Sequence, residues 1–307
     1  MSARQPRHAA PSSRTVLVAA AIGVVITLMG SVWALASGPG EEPKGSPPMP
    51  VTVTELPPVE ISATPAVDPC ADPAVTKALG AGDDAAAIAA FGGGEAFRLA
   101  VSSGTAPCVS LSDPAHEWVV VNKARPLDPA RYAPASLGGT GLRTTTGSGE
   151  ARPVVSQALA QLAKGSADAG AGAIGVNNGY RSYDLQQRTY STHVRNRGQA
   201  WADSESARPG HSEHQTGLAL DIVACSPGCG EIQGFTGTPQ AQWVAAHAWE
   251  YGFIVRYEDG RTAVTGYVHE AWHVRYIGKE LAAAYHAGGF HTLEEFFGLP
   301  AAPDYPH

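Results

Sequence analysis

Two short stretches, far apart in the 307-residue chain, carry side chains able to do chemistry. The first reads Ser212-Glu-His214-Gln-Thr-Gly217-Leu-Ala219-Leu-Asp221, and the second Glu270-Ala-Trp272-His273. Together they offer two imidazoles, one carboxylate ligand and one spare carboxylate. A catalytic zinc site takes three protein ligands of these types and leaves a fourth position for water. A spare carboxylate beside it can take a proton from that water. On this reading His214, Asp221 and His273 bind one Zn2+, and Glu270 is the base.

The elements around these residues decide whether they can meet. Leu218, Leu220 and Ile222 alternate with Ala219, Asp221 and Val223, the period of a strand. Asp221 then lies on the face opposite the leucines, where a charge is costly unless paired or metal-bound. Gly217 permits a tight path from a loop carrying His214 into that strand. His269-Glu-Ala-Trp-His273 also fits H-E-x-x-H, which on a helix would put both histidines on one face with Glu270 as base. The β-prone Tyr267, Val268, Val274, Tyr276 and Ile277, with Gly266 and Gly278 close by, argue against a helix there. That reading would also leave His214 and Asp221 without a role. Of the remaining histidines, His211 and His269 are expected beside the cleft as non-ligands. His193, His247, His286 and His291 are expected to be solvated or structural.

Elsewhere, Asp72-Pro73 reads as an N-cap and first-turn proline opening an Ala-rich helical preface to about Ala100. Trp118 to Val121 is β-prone. Pro153 to Lys164, Tyr183 to Asn196, Gln240 to Tyr251, Lys279 to His286 and Leu293 to Phe297 read as helices, with Gly252 as a C-cap. Phe253 to Tyr257 reads as a strand, and Val264 to Val268 and His273 to Ile277 as strands or extended chain. Gly170-Ala-Gly172-Ala-Ile-Gly175 matches G-x-G-x-x-G, but it follows a helix instead of a strand, so it reads as a loop and not a dinucleotide site. Helices with antiparallel-looking strands imply an α+β fold.

Arg4, Arg7 and Arg14 precede an uncharged run from Val16 to Ala36, long enough at about 20 residues to span a bilayer. The basic residues put the N-terminus in the cytoplasm and the remainder outside. Ala34-Leu-Ala36 also resembles a cleavage signal, so a secreted form stays open. The expected organisation is a cytoplasmic segment 1–15, an anchor 16–36, a Pro/Gly-rich linker 37–68, a helical preface 69–108 and a catalytic domain 109–300. Cys70, Cys108, Cys225 and Cys229 in an exported chain suggest disulfides, preferably Cys70–Cys108 and Cys225–Cys229, each closing one local segment. The net charge of −7 argues against nucleic acid. A monomer is expected.

The motifs resemble the VanY-type D-alanyl-D-alanine carboxypeptidases. The likeness lies in Tyr180-Arg181-Ser182-Tyr183 with Gln186, in Ser212 through Asp221, in Tyr251-Gly-Phe253, and in Glu270 with Trp272-His273. Val121-Asn-Lys123 and Pro126-Leu127 add to it, and it covers roughly Glu117 to Leu299. The resemblance implies a central antiparallel sheet flanked by helices, as in VanY and hedgehog-like zinc peptidases. It also implies one Zn2+ and cleavage beside D-alanine in peptidoglycan stem peptides. Carried over, His214, Asp221 and His273 match zinc ligands, Glu270 the base and Arg181 an oxyanion partner. Ser212 matches a position near the substrate carboxylate and Gln186 a substrate-side residue, with Tyr180 and Trp272 as further substrate contacts. His211, His269 and Ala271 depart from the common pattern. Alternatives on the same residues are a D,D-dipeptidase, a cell-wall endopeptidase or, with Glu270 against it, a non-catalytic wall-binding module.

Overall fold

The computed structural model describes residues 68–306. The expected cytoplasmic segment, the anchor and all but the end of the linker lie outside the described residues. Among the described residues no helix is long and apolar enough to cross a membrane.

A preface of three short helices comes first: α1 (Pro73–Ala81), α2 (Asp84–Ala90) and α3 (Gly94–Ser102). Asp72 caps α1 by accepting from the Ala74 N–H, and Pro73 occupies its first turn. Cys70 is bonded to Cys108, and Cys225 to Cys229. Helix α4 (Pro153–Asp168) follows, then β1 (Ala173–Asn178), α5 (Tyr183–Arg197), α6 (Gln199–Glu205) and β2 (Ala219–Cys225). Next come α7 (Pro239–His247), β3 (Phe253–Tyr257), α8 (Thr262–Thr265), β4 (Glu270–Tyr276), α9 (Lys279–Ala287) and α10 (Leu293–Phe297).

The four strands form one antiparallel sheet in the order β1-β2-β4-β3. One face is apolar and packs on α4, whose Val155, Leu159 and Leu162 meet Leu220, Ile222 and Val274. Burying each of these side chains contributes about 1.5–3 kcal/mol. Strand alternation turns Asp221 to the other face. There the segments before β2 and before β4 close over the sheet.

The preface shares a core with the remainder of the described chain. Ile88 and Phe97 pack with Trp118, Ile254, Leu281 and Phe296. The contact between α3 and α9 is close enough that a Cβ at Gly94 would overlap the Glu280 carbonyl oxygen.

Three expectations differ from the structure. Trp118 to Val121 joins no strand. The run is buried, and side chains replace a neighbouring ladder: Arg275 Nη2 donates to the Glu117 and Val119 carbonyls, and Arg125 Nε to that of Val120. Val264 to Val268 is not extended, because Thr262–Thr265 makes a helical turn stopped by Gly266 at φ 80°. Helix α6 is an addition, its Gly198 breaking from α5 with φ 85°.

Gly94→Ala is therefore expected to cost about 1–3 kcal/mol through overpacking. Calorimetric unfolding should show the loss as a lowered Tm, and an unchanged Tm would contradict the close α3–α9 contact.

Candidate metal centre

Register brings two of the three candidate ligands together. Asp221 on β2 lies directly opposite His273 on β4, and Tyr257 on β3 opposite Glu270. Directly opposed antiparallel residues hold their Cβ atoms about 4.5–5.5 Å apart. His214 arrives from the 3-10 turn Glu213–Thr216, which Gly217 ends in the left-handed region at φ 68°. A Cβ at Gly217 would also crowd Arg152, Pro134 and Leu137.

All three candidates are buried, and one ligand atom from each lies within 4.8 Å of the others. His214 Nε2 is 3.3 Å from Asp221 Oδ2, and His273 Nδ1 is 3.2 Å from Asp221 Oδ1. The opposite ring nitrogens are taken. His214 Nδ1 donates to the Gly179 carbonyl at 2.9 Å, and His273 Nε2 to Glu213 Oε2 at 3.2 Å. These partners leave His214 Nε2 and His273 Nδ1 with lone pairs directed at Asp221. Asp221 Oδ1 is buried without a hydrogen-bond partner of acceptable geometry. An orphaned carboxylate oxygen between two imidazole nitrogens fits a divalent cation, and this donor set suits zinc.

The electrostatics agree. Burial favours neutral Asp221, but His214 and His273 outweigh it and hold the carboxyl well below the usual range. Burial pushes His214 down, favouring the neutral ring a metal requires. For His273 burial also acts downward, but the neighbouring carboxylates of Asp221 and Glu213 push it up to about 9. With no cation a proton gathers there, and metal binding would displace it.

Glu270 Oε2 stands 3.7 Å from His273 Nδ1. Burial pushes Glu270 up to about 7, against the lowering effect of His273 and with help from Asp221 and Glu205. Because Glu270 opens a strand, the H-E-x-x-H sequence does not form a helical two-histidine site. Arg181 also lines this cleft of about 310 Å³. Its Nε has no partner, and its Nη2 lies 3.4 Å from Ser212 Oγ. No carboxylate pairs with it among the described residues, so its guanidinium is held for something in the cleft.

Ser212 and Trp272 line the cleft. Tyr180 and Gln186 do not. Tyr180 is half-buried, with its N–H on the Glu150 carbonyl. Gln186 is wholly buried, and its amide donates to Ser206 Oγ and the Ala207 carbonyl, so it shapes the wall from behind. His211 is turned away, with Nδ1 against the Asn122 carbonyl and its ring edge-on to Tyr305. His269 lines a separate cavity with Trp249 and Phe290. His193, expected to be solvated or structural, lines the cleft with Trp201, Tyr257 and Tyr267.

The largest omission from the sequence reading is Glu213. It is fully buried and pairs with Arg275 Nη1 at 2.7 Å and Arg256 Nε at 3.0 Å while accepting from His273. Arg256 continues to Glu294, which accepts from Asn122. A buried residue between a serine and a histidine carries no periodic signal; only the count of uncompensated arginines at Arg256 and Arg275 hinted at a partner.

Residues 149–279 match the family model described as VanY, D-alanyl-D-alanine carboxypeptidase. The protein YodJ of Bacillus subtilis (strain 168) is 42% identical over 120 residues, covering 39% of this chain and 44% of YodJ. A D-alanyl-D-alanine carboxypeptidase of Enterococcus faecium is 31% identical over 143 residues, covering 46% and 42%. The chain thus spans less than half the length of these relatives. A solved structure, the LdcB LD-carboxypeptidase described as revealing the molecular basis of peptidoglycan recognition, aligns with TM-score 0.56 and 34% identity. That alignment covers 60% of this chain and 87% of that one.

Glu213→Gln keeps the side-chain shape but removes the charge that orients His273. Zinc affinity should fall about 10- to 100-fold, read by competition with a chromophoric chelator. Arg256→Met leaves Glu213 and Glu294 short of a buried cation and should cost about 3–5 kcal/mol in denaturant unfolding. Unchanged values would remove the network from its supporting role.

Proposed function

This chain belongs to the VanY family of D-alanyl-D-alanine carboxypeptidases, and we propose that it is a zinc peptidase hydrolysing the terminal D-Ala-D-Ala bond of peptidoglycan stem peptides. The observation that carries the reading is a three-ligand cluster with a separate buried carboxylate beside it. His214 Nε2, Asp221 and His273 Nδ1 would hold one Zn2+. Zinc in that position supplies Lewis acidity, polarising a carbonyl and lowering the pKa of water toward about 7.

Two cleft carboxylates outside the three touch a candidate ligand; Glu213 is committed to Arg256 and Arg275, which leaves Glu270 to act as the base. It takes a proton from the attacking water on Oε2 and delivers it to the leaving amine. Its buried setting, which pushes the carboxyl toward 7, suits a group that must both accept and release a proton near neutrality. Arg181 lines the same cleft with its Nε–H unpaired and would offset charge gathering on the carbonyl oxygen. Such preorganised donors are worth about 3–4 kcal/mol. Ser212, held by Arg181, lies where a terminal carboxylate can be received. The uncharged run Val16–Ala36 supports placing this domain outside the cytoplasmic membrane, tethered or secreted.

A second reading keeps the chemistry and shifts the bond. The aligned LD-carboxypeptidase favours cleavage between an L-residue and a terminal D-alanine. Pentapeptide and tetrapeptide stems, with product chromatography, separate the two, and also separate a dipeptidase or an endopeptidase.

D-alanine release should be abolished by a chelator, restored by zinc and insensitive to penicillin, since no acyl-serine forms. Glu270→Ala should lower kcat by at least about 10²- to 10⁴-fold while zinc content stays near one per chain. Release by Glu270→Ala as fast as by the parent would refute the mechanism.

A further inference from the structure

Two helices line the cleft together with Arg181, and each contributes one pair of residues spaced four apart. Thr189 and His193 come from α5, and Trp201 and Glu205 from α6. A spacing of four places each pair on one helical face. The His193 and Trp201 rings meet edge-on with centroids 5.3 Å apart, so the two helices form a continuous aromatic ledge.

Glu205 stands at the end of this ledge, exposed, with no hydrogen bond or ion pair to any described residue. Its neighbour on α6 behaves differently. Asp203 accepts from Arg208 at 2.9 and 3.0 Å and from Tyr190 at 2.6 Å. Arg197 lies over the Trp201 ring at 5.1 Å but makes no ion pair with Glu205. The cleft therefore contains a carboxylate that the fold leaves without a partner, on the same lining as Glu270. Like charges facing one cleft repel each other, and a cationic group brought by the substrate would relieve that repulsion. A flat aromatic ring leading to the carboxylate suits the aliphatic stem of such a group.

We propose that Trp201 and Glu205 form a specificity subsite for a side-chain amine on the stem peptide: the stem lies on Trp201 and the ammonium pairs with Glu205. The inference rests on the peptidase reading and adds the substrate class within it, stem peptides whose diamino residue has a free amine. An acylated amine, as in a cross-linked stem, has no charge to offer and is the poorer substrate.

The test compares L-alanyl-γ-D-glutamyl-L-lysyl-D-alanyl-D-alanine with its Nε-acetyl form, and the two tetrapeptides lacking the last D-alanine, using the zinc-loaded full chain. The free amine should be preferred about two- to fivefold in kcat/KM, the range of one exposed ion pair. Because such pairs are screened, the preference should shrink in 1 M salt. Glu205→Gln should bring the ratio to about one, and Glu205→Lys should favour the acetylated peptide. Equal cleavage of both forms by the parent, or an unaltered ratio in both variants, overturns the subsite while leaving the peptidase intact. If none of the four peptides is cleaved, the peptidase reading and the subsite fall together. Glu205 is exposed, so its variants should fold, and circular dichroism with zinc content verifies this.

Discussion

The structure depends on a carboxylate held out of water among three cations or cation acceptors. Glu213 lies between the guanidinium groups of Arg256 and Arg275, and its second oxygen receives a hydrogen bond from His273. Burying one ion alone costs several kcal/mol, so the cluster is tolerable only as a balanced whole. The balance is present: Arg256 and Arg275 offset Glu213 and Glu294, and Asn122 donates to the same Glu294 oxygen as Arg256 Nη2. Burial by itself would neutralise Glu213, yet Arg275 and Arg256 hold its carboxyl far below the ordinary range. The same group that neutralises two buried arginines thereby fixes which nitrogen of His273 remains free.

That arrangement ties distant segments to one site. Arg275 lies two residues beyond His273 on the same strand and also pins the Glu117–Val119 chain through its carbonyls. Arg256 lies on β3 beside Tyr257, whose ring packs 4.9 Å from His273. Glu213 immediately precedes His214. Two of the candidate ligands, His214 and His273, are therefore one or two residues from a member of the buried network, and Asp221 lies opposite His273 on the neighbouring strand. Such support holds a site within the small tolerances that metal chemistry requires.

The cleft lining carries groups of unlike charge. One part carries Arg181 and Ser212, a buried cation with an unpaired N–H and a hydroxyl held beside it. Another carries the α5–α6 ledge ending in an exposed carboxylate. A ligand fitted to both has an anionic or carbonyl end and, some distance along, a positive group.

The sequence by itself supplied the residue types that could do chemistry and most of the elements. The histidines and carboxylates were visible as types, the alternation about Asp221 defined a strand with its charge opposite the apolar face, and Asp72-Pro73 and Gly252 marked helix ends that the structure contains. These signals are local, arising from side-chain periodicity and backbone preference within a few residues. Tertiary structure decided what local signals cannot. It set the register that places Asp221 opposite His273, and so disposed of the helical H-E-x-x-H. It also turned His211 away, sank Gln186 behind the wall and brought His193 into the cleft. Trp118 to Val121 has the composition of a strand, but its Val119 and Val120 carbonyls accept from arginine side chains and its amides donate to no neighbouring strand among the described residues. Glu213 gave no sign of its importance because a buried charge is explained only by its partners, and these lie 43 and 62 residues away.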